Sequence, residues 1–541
     1  MAPSSPVIEV RLVVARQLER LAAPGSAREA AAGAIRDSAE LVLEAIGVPA
    51  TPEVAIDVGG PATGPDAWGR LYVGGERCRF SAEAGRAARA VVLLEHDSGL
   101  EASELVPWLE TSLDDEGGGQ AAAFLAALLP GVLGEHGAAL ISDDIAAMYA
   151  ASIGVEDNLP SLAAVLRQLA GLRVSVADRD AVRRGLENGA GEPGEALLAE
   201  LRPPVVELRL SLAFLESLTT EDPNATAGLL TYLRDGLFVE LGVEIPPVRL
   251  VPARMPDRTF ALTINDVALA PRLGLRADEC LVNEEPRRLA AFLTEASDSN
   301  TIRGWMQNPG SGMANARVDI AAAQAMGDVG LIVWTPLGQL ILAVAADLRA
   351  HASCFVDAAG ARALLDSLEP IAPTLVRQTR SRVSEARLAR SLRALAAEQE
   401  SGRNLSAVLE ELLDSEGHDA DVRRALAPAI ATRHARGTRT LVVYLLDPAI
   451  ERALSEARPL AEGVADDILA AIQAELAMLP LAVTPPTLLT DAAVRARLKA
   501  VVQDELPWLD VLCYDDLPRA LNVQPVARIA LQADVLTGAS R

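Results

Sequence analysis

Five histidines, His96, His136, His351, His418 and His434, and four cysteines, Cys78, Cys280, Cys354 and Cys513, are the residues best suited to metal or nucleophilic chemistry in this chain. They do not combine. No H-E-x-x-H or Cys/His ligand spacing occurs, and the cysteines are scattered singly, with neither a metal pattern nor a disulfide framework. Gly310-Ser311-Gly312 has the wrong frame for a nucleophile elbow. The single lysine, Lys499, stands against 48 arginines and lies mid-helix with no glycine-rich loop before it. Schiff-base chemistry and P-loop phosphate binding are therefore not expected. Gly117-Gly118-Gly119 follows Asp114-Asp115-Glu116, whose charge repels phosphate, and it reads as a loop. The carboxylate pairs Asp419/Asp421 and Asp515/Asp516 read as solvated faces. His351, at a helix end, reads as a structural or capping residue. The expectation is a protein that is not an enzyme, with no catalytic, cofactor or metal residues.

Binding features remain. Trp305-Met306 is flanked by polar Asn300, Thr301, Gln307 and Asn308, and reads either as a docking surface or as the anchor of a very small core. Trp334 is expected in the core of a strand, and Asp447-Pro448 is expected to cap a helix. The 541 residues carry 74 acidic against 49 basic side chains, a net charge of −25 with a pI near 4.7. That field disfavours nucleic acid and favours proteins with basic patches. Single cysteines and the lack of a signal-like start at Met1 to Pro6 fit a reducing cytoplasm. The apolar window Ala121 to Gly134 is too short to span a bilayer, and Gly330 to Leu348 is interrupted by Thr335, Pro336, Gln339 and Asp347, so no integral membrane segment is expected.

The elements that must position these residues are clearest when the chain is compared with itself. Val7-Ile8-Glu9-Val10-Arg11-Leu12 recurs as Val205-Val206-Glu207-Leu208-Arg209-Leu210, and Ile35-Arg36-Asp37 recurs as Leu233-Arg234-Asp235, both at an offset of 198. Leu162 to Leu166 recurs as Leu405 to Leu409 at 243, and Val182 to Leu186 as Val422 to Leu426 at 240. The reading is an internal tandem repeat: a degenerate first copy over 1–200, with an α/β unit to about 110 and a helical unit over about 111–200, and a second copy over 201–437. The jump in offset, about 45 residues, places an inserted small unit at about 270–319. Alternation at Val206 to Leu210 and at Phe260 to Asn265 predicts strands, and Thr226 to Leu241 has a helical period closed by Gly242. The fold class is α/β (α+β) with several subdomains: an α/β part over 201–357, a helical bundle over 358–437 and a final α/β unit over 438–541. Six subdomains are expected in all.

From about Val205 to Ile529 the chain resembles the cytoplasmic region of the FHIPEP family, the export-gate proteins of flagellar and type III secretion systems. The stretches are Glu240-Leu241-Gly242-Val243-Glu244-Ile245-Pro246-Pro247-Val248-Arg249, Asn308-Pro309-Gly310-Ser311-Gly312-Met313, Gly330 to Val333 with Thr335-Pro336, Arg349-Ala350-His351-Ala352, Asp504-Glu505-Leu506-Pro507, and Val511 to Pro518. Departures accompany them. The family's membrane bundle is replaced by the first copy, Leu342-Ala343-Val344 stands for "THL", and Arg317 occupies a position where the family has tryptophan. The resemblance implies a docking scaffold for secretion chaperones, export substrates or other export-apparatus components, a homo-oligomeric ring formed through the helical subdomain, and a cytoplasmic location peripheral to an inner-membrane apparatus. Trp305, Met306 and Arg317 are the candidate protein-binding residues. The alternative is a stand-alone interaction scaffold unrelated to secretion, told apart by gene neighbourhood.

Overall fold

The computed structural model describes residues 6–59, 68–96, 105–113, 118–155, 159–188, 193–201, 205–219, 223–284, 289, 301–310, 312, 314–415, 422–435, 438–456, 460, 463–477, 487–503, 505–506 and 509–531. Asp114-Asp115-Glu116-Gly117, Asn300, Ser311, Met313, His418, Asp419, Asp421, Asp504 and Pro507, all weighed above, lie outside them. Among the described residues no helix is long and apolar enough to cross a membrane.

Alternation builds the first sheet. Ile8, Val10, Leu12 and Val14 of β1 (Val7–Val14) are buried while Glu9 and Arg11 face out, the period of two expected of a strand covered on one side. β1 pairs in parallel with β2 (Thr51–Val58) and antiparallel with β3 (Gly69–Val73), and β3 pairs antiparallel with β4 (Glu76–Cys78), giving the order β2-β1-β3-β4. The connection from β1 to β2 runs through α1 (Ser26–Ile46), which Gly47 ends at φ 77°.

A second sheet repeats this plan. β5 (Val206–Ser211) is parallel to β6 (Val248–Ala253) and antiparallel to β7 (Thr259–Ile264), which pairs with β8 (Val267–Ala268), in the order β6-β5-β7-β8. α10 (Pro223–Leu241), preceded by α9 (Leu212–Thr219), makes the connection, and Gly242 follows at φ 73°. Only glycine takes that left-handed position without strain, so the same cap closes both helices.

Helices follow each sheet. After the first come α2 (Ala82–Leu93), α3 (Leu105–Ser112) and α4 (Gly119–Glu135). α4 is capped by His136 at φ −100° and succeeded by a 3-10 turn, Gly137–Leu140. α5 (Asp143–Ile153), α6 (Leu159–Gly171), α7 (Arg179–Asn188) and α8 (Pro193–Leu201) complete that half. After the second sheet and the two-residue strand β9 (Arg272–Leu273) stands an antiparallel sheet. It comprises β10 (Glu279–Val282), β11 (Ile302–Gln307), β12 (Ala314–Asp319) and β13 (Val333–Trp334), in the order β11-β12-β10-β13. Its core is Cys280, Val282, Ala316 and Val318, with Met326 of α11 (Ile320–Asp328). Because β13 closes the sheet, the inserted unit extends to Trp334, beyond the expected limit near 319. Trp334 itself is half-buried rather than core. α12 (Pro336–Ala350) is then capped by His351 at φ −108° and followed by a 3-10 turn, Ala352–Phe355, as α4 is by His136 and its turn.

Taken as one position in two halves, the capping histidines lie 215 apart, only 17 more than the strand offset of 198. The inserted sheet therefore carries part of the jump in offset. The rest falls after α13 (Ala358–Leu368), where α14 (Pro373–Arg382) and α15 (Glu385–Ala397) have no counterpart between α5 and α6.

The chain divides into two compact units, Met1–Asp366 with Glu385–Gln399, and Ser367–Ser384 with Glu400–Arg541. The helical region expected at 358–437 is thus shared between them. α15 goes with the first unit because Arg393 is locked to Glu195 of α8 at 2.8 Å, both side chains almost fully buried. In the second unit, α16 (Leu405–Asp414) and α17 (Val422–His434) precede a parallel sheet of β14 (Thr440–Leu446), β15 (Thr487–Thr490), β16 (Val511–Cys513) and β17 (Asn522–Ile529). Asp447 caps α18 (Pro448–Ser455), its Oδ1 accepting from the Ala449 amide at 2.9 Å with Pro448 at the first helical position, as the sequence suggests. α19 (Val464–Ala477) and α20 (Ala492–Val502) cover the sheet.

Candidate functional site

The candidate residues Trp305, Met306 and Arg317 lie in the inserted sheet, and the structure sets them against the N-terminal half of the chain. The contact is made by α2. Ser81 starts that helix, its Oγ accepting from the Ala84 amide at 3.1 Å, and Leu94 ends it in the left-handed region at φ 55°. The last carbonyls of a helix lack intrahelical partners and carry the negative end of its dipole. Three arginines from the second half of the unit collect there. Arg258 Nη2 donates to the Leu94 carbonyl, Arg317 Nη2 donates to the His96 carbonyl at 3.4 Å, and Arg276 lies 3.9 Å from the Glu95 carboxylate.

Arg317 is consequently not a surface contact residue. Its side chain is 7% exposed and pairs with the equally buried Glu279 at 3.2 Å, while Nη2 also donates to the Arg303 carbonyl at 3.1 Å. A tryptophan at this position has one N–H donor and no charge, so it could not pair with Glu279 and donate to the His96 and Arg303 carbonyls together. His96 is held beside the same cluster. Burial, reinforced by Arg317, pushes its pKa down to about 3, so the ring is neutral and its Nε2–H donates to the Gly274 carbonyl at 3.2 Å.

Between α2 and the edge strand β11 runs a cleft with about 540 Å³ of empty space, part of it open to solvent. Glu83, Arg86, Ala87, Ala90 and His96 form one wall. Trp305, Met306, Gln307 and Pro309 form the other, with Arg272, Leu273 and Gln339 completing the lining. Trp305 and Met306 are half-buried. The Arg86 guanidinium lies 6.0 Å from the Trp305 ring centre, and its Nη2 donates to Gln307 Oε1 at 3.1 Å. Gln339, from the first turn of α12, is 2% exposed, and its Oε1 has no hydrogen-bond partner among the described residues.

The two halves of the unit are joined by charge and by close approach. His351 Nε2 meets the Glu135 carboxylate across the junction at 3.0 Å, while Arg173 Nη2 holds the same carboxylate at 2.6 Å from within the first half, and Arg272 meets Asp347 at 2.6 Å within the second. Burial would raise the Glu135 pKa, but His351 and Arg173 outweigh it and hold the carboxyl well below the usual carboxylate range. His351 also contacts the Asp347 carbonyl through Nδ1 at 2.8 Å, the capping role read from its place at a helix end. A Cβ at Gly131 would stand 2.6 Å from the backbone nitrogen of Ala270, so α4 seats on the second half only through glycine.

The arrangement suits recognition. Burial pushes the thiols of Cys78, Cys354 and Cys513 up to about 12, 11 and 11, which removes them as nucleophiles at neutral pH. Among the described residues no group of three or more His, Cys, Asp or Glu could hold a metal ion. Arg86, Arg272 and Gln339 escape sequence reasoning because they come from three distant segments. The one available signal was Arg317 in a tryptophan position.

Comparison with known proteins accounts for this architecture. The FHIPEP family model matches residues 136–522, beginning earlier than the stretch of resemblance from Val205. Low calcium response locus protein D of Yersinia pestis is 23% identical over 324 residues, covering 56% of this chain and 44% of that protein. Hypersensitivity response secretion protein HrcV of Ralstonia nicotianae is 25% identical over 392 residues, covering 65% and 54%, and flagellar biosynthesis protein FlhA of Bacillus subtilis is 23% identical over 318, covering 55% and 45%. The chain spans about half the length of these curated relatives. Among solved structures, the Chlamydia pneumoniae CdsV protein is similar with a TM-score of 0.50 and 22% identity, covering 60% of this chain and 97% of that one. CdsV in complex with CdsO is similar with a TM-score of 0.52 and 21% identity, over the same shares. These likenesses show the fold, and the match over most of the chain shows the family: the protein is a member of the FHIPEP family, whose relatives are type III secretion and flagellar export-gate proteins.

Proposed function

We propose that the chain is a non-enzymatic docking scaffold of a type III export apparatus, or derived from one, that binds protein partners and assembles with copies of itself as a ring. The observation that carries this reading is the family match over residues 136–522. The partners proposed are secretion chaperones, export substrates or other export-apparatus components. CdsV, which shares the fold, is known in complex with CdsO, which supports protein binding as the mode of action. With a net charge of −25 the outer surface favours partners with basic patches, and repulsion between copies makes ring assembly strengthen with salt. The proposed location is cytoplasmic and peripheral to the inner-membrane apparatus.

The test is capture of partners by the full chain from its native host, with identification by mass spectrometry. Secretion components or their chaperones are expected, and recovery of none overturns the export reading. Sedimentation across a salt series tests the ring: a larger species is expected to grow with ionic strength, and a monomer throughout removes this part of the proposal.

A further inference from the structure

The cleft between α2 and β11 has three properties that together specify a ligand. Among the described residues β11 is an edge strand, and Trp305, Met306 and Gln307 all border the cleft. Successive strand residues point to opposite faces, so three in a row mean that the strand's edge, and not one face of it, runs along the opening. An unpaired edge is a template for one more strand. Gln339 then brings a side-chain amide that is 98% buried, with an oxygen that lacks a partner among the described residues. An orphaned buried acceptor is costly until something donates to it, and the main-chain N–H of a peptide is the natural complement.

Charge supplies the third property. In a chain of net charge −25, this cleft has two arginines, Arg86 and Arg272, balanced by Glu83 in the lining and by Asp347 behind Arg272, while His96 is neutral, so it is free of the acidic excess of the chain. Arg86 is held by Glu83 at 3.1 Å and by Gln307, but Arg272 uses only Nη2 on Asp347, so the rest of its fork is open to a ligand among the described residues. Leu273, Ala87 and Ala90 line the remainder with apolar surface.

We propose that this cleft binds an extended peptide segment of a partner protein, one that carries an acidic side chain next to an apolar one. The segment adds as a strand along β11, its main-chain amide meets Gln339, and its carboxylate meets Arg272 and Arg86. The N-terminal half is then part of the site, because α2 supplies one wall. The inference deepens the docking reading and is separable from it: partner capture from the host can succeed while this cleft binds nothing.

The experiment selects a phage-displayed library of random linear peptides on the full chain, then measures the enriched peptides by fluorescence anisotropy. Sequences with an acidic residue beside an apolar one are expected. Gln339→Met should weaken them about tenfold, the size of one lost hydrogen bond. Arg86→Met should weaken them about fivefold at low salt and less at high salt. Circular dichroism checks that each variant folds, and if Gln339→Met does not, Arg86→Met with amide hydrogen exchange of Trp305 to Gln307 in the wild type decides. Peptide binding should slow that exchange. Failure to enrich any peptide, binding unchanged in the folded variants, or unprotected β11 amides would overturn the proposal.

Discussion

The two sheets at the start of each half share strand order and strand sense, yet the helices that cross them live in different surroundings. α1 buries Ala31, Ile35, Ser38, Ala39, Val42, Leu43 and Ile46, one continuous broad face along its length. α10 buries Leu230, Leu237 and Leu241 but leaves Leu229, Tyr232, Phe238 and Val239 exposed. Aligned on their cap glycines, Gly47 and Gly242, Leu43 falls on Phe238, the first 2% exposed and the second 42%. The covering helices also differ. α4 buries Phe124, Leu125, Leu128, Leu129, Val132 and Leu133, and α12 buries the matching positions Gln339, Leu340, Ala343, Val344, Asp347 and Leu348, so the polar Gln339 and Asp347 stand where α4 has apolar side chains. One topology serves as a support in the first half and presents a helix in the second.

The sharpest way to break this comparison is a matched pair of truncations. Leu43→Ala should destabilise the first unit by roughly 3 kcal/mol, the transfer and cavity cost of a closed core site. Phe238→Ala should cost less than about 1 kcal/mol, since much of that ring already meets water. Urea unfolding of the full chain, followed by circular dichroism, reads both. Equal losses would mean that α10 is as closely covered as α1.

Gly131→Ala comes next. In α4 the added methyl would press on the backbone of Ala270, which cannot rotate aside as a side chain could, so about 2 to 3 kcal/mol of overpacking is expected. The same change at Gly228 of α10, where a Cβ meets nothing within 4 Å, should stabilise by up to about 1 kcal/mol by removing a glycine from a helix. Opposite signs in one denaturation series support a buried first half and an open second one.

How much of this was legible in the residues depends on the range of the interaction. The alternation of Val10 and Leu12 with Glu9 and Arg11, the caps at Asp447 and Gly242, and the helical period before Gly242 are local, and the structure agrees with each. β13 has two residues and no periodicity to detect, so the inserted sheet seemed to stop near 319 and Trp334 seemed buried. The wall that α2 adds to the cleft was invisible for another reason. Arg86, Arg272 and Gln339 meet only after three separate segments fold, and Arg317 was read as a contact for other proteins because its partner in the chain, the end of α2, has no signature of its own.

A smaller effect separates the capping histidines. Glu135 precedes His136, where Ala350 precedes His351, and that carboxylate pairs with Arg173 and reaches across to His351. Its pKa is depressed below the ordinary 4.5. The stability it adds is therefore complete above that ordinary value and is lost as pH falls through the folded-state pKa. Because the side chain is half exposed, solvent reduces the gain to about 1 kcal/mol. Glu135→Gln should lower the melting temperature near neutral pH and flatten its decline below about pH 5. A variant with an unchanged acid limb would show that the junction of the halves rests on apolar contact alone.

The smallest stability change should come from the exposed stripe of α10, and it bears most directly on what the second half is for. Leu229, Tyr232, Gly236 and Val239 recur at spacings of three and four, which sets them on one side of the helix. Tyr232 is 78% exposed and Val239 57%, so neither supports the core. The double variant Leu229→Glu with Tyr232→Ser should alter urea stability by no more than about 0.5 kcal/mol. Apolar side chains gathered on one helix face are otherwise a solubility cost, and contact with another protein is what offsets it. The same variant should therefore lose captured partners, or the larger species in sedimentation, while folding as well as the wild type. If it unfolds more readily instead, the stripe is structural, and the contrast between a buried first helix and a presented second one fails.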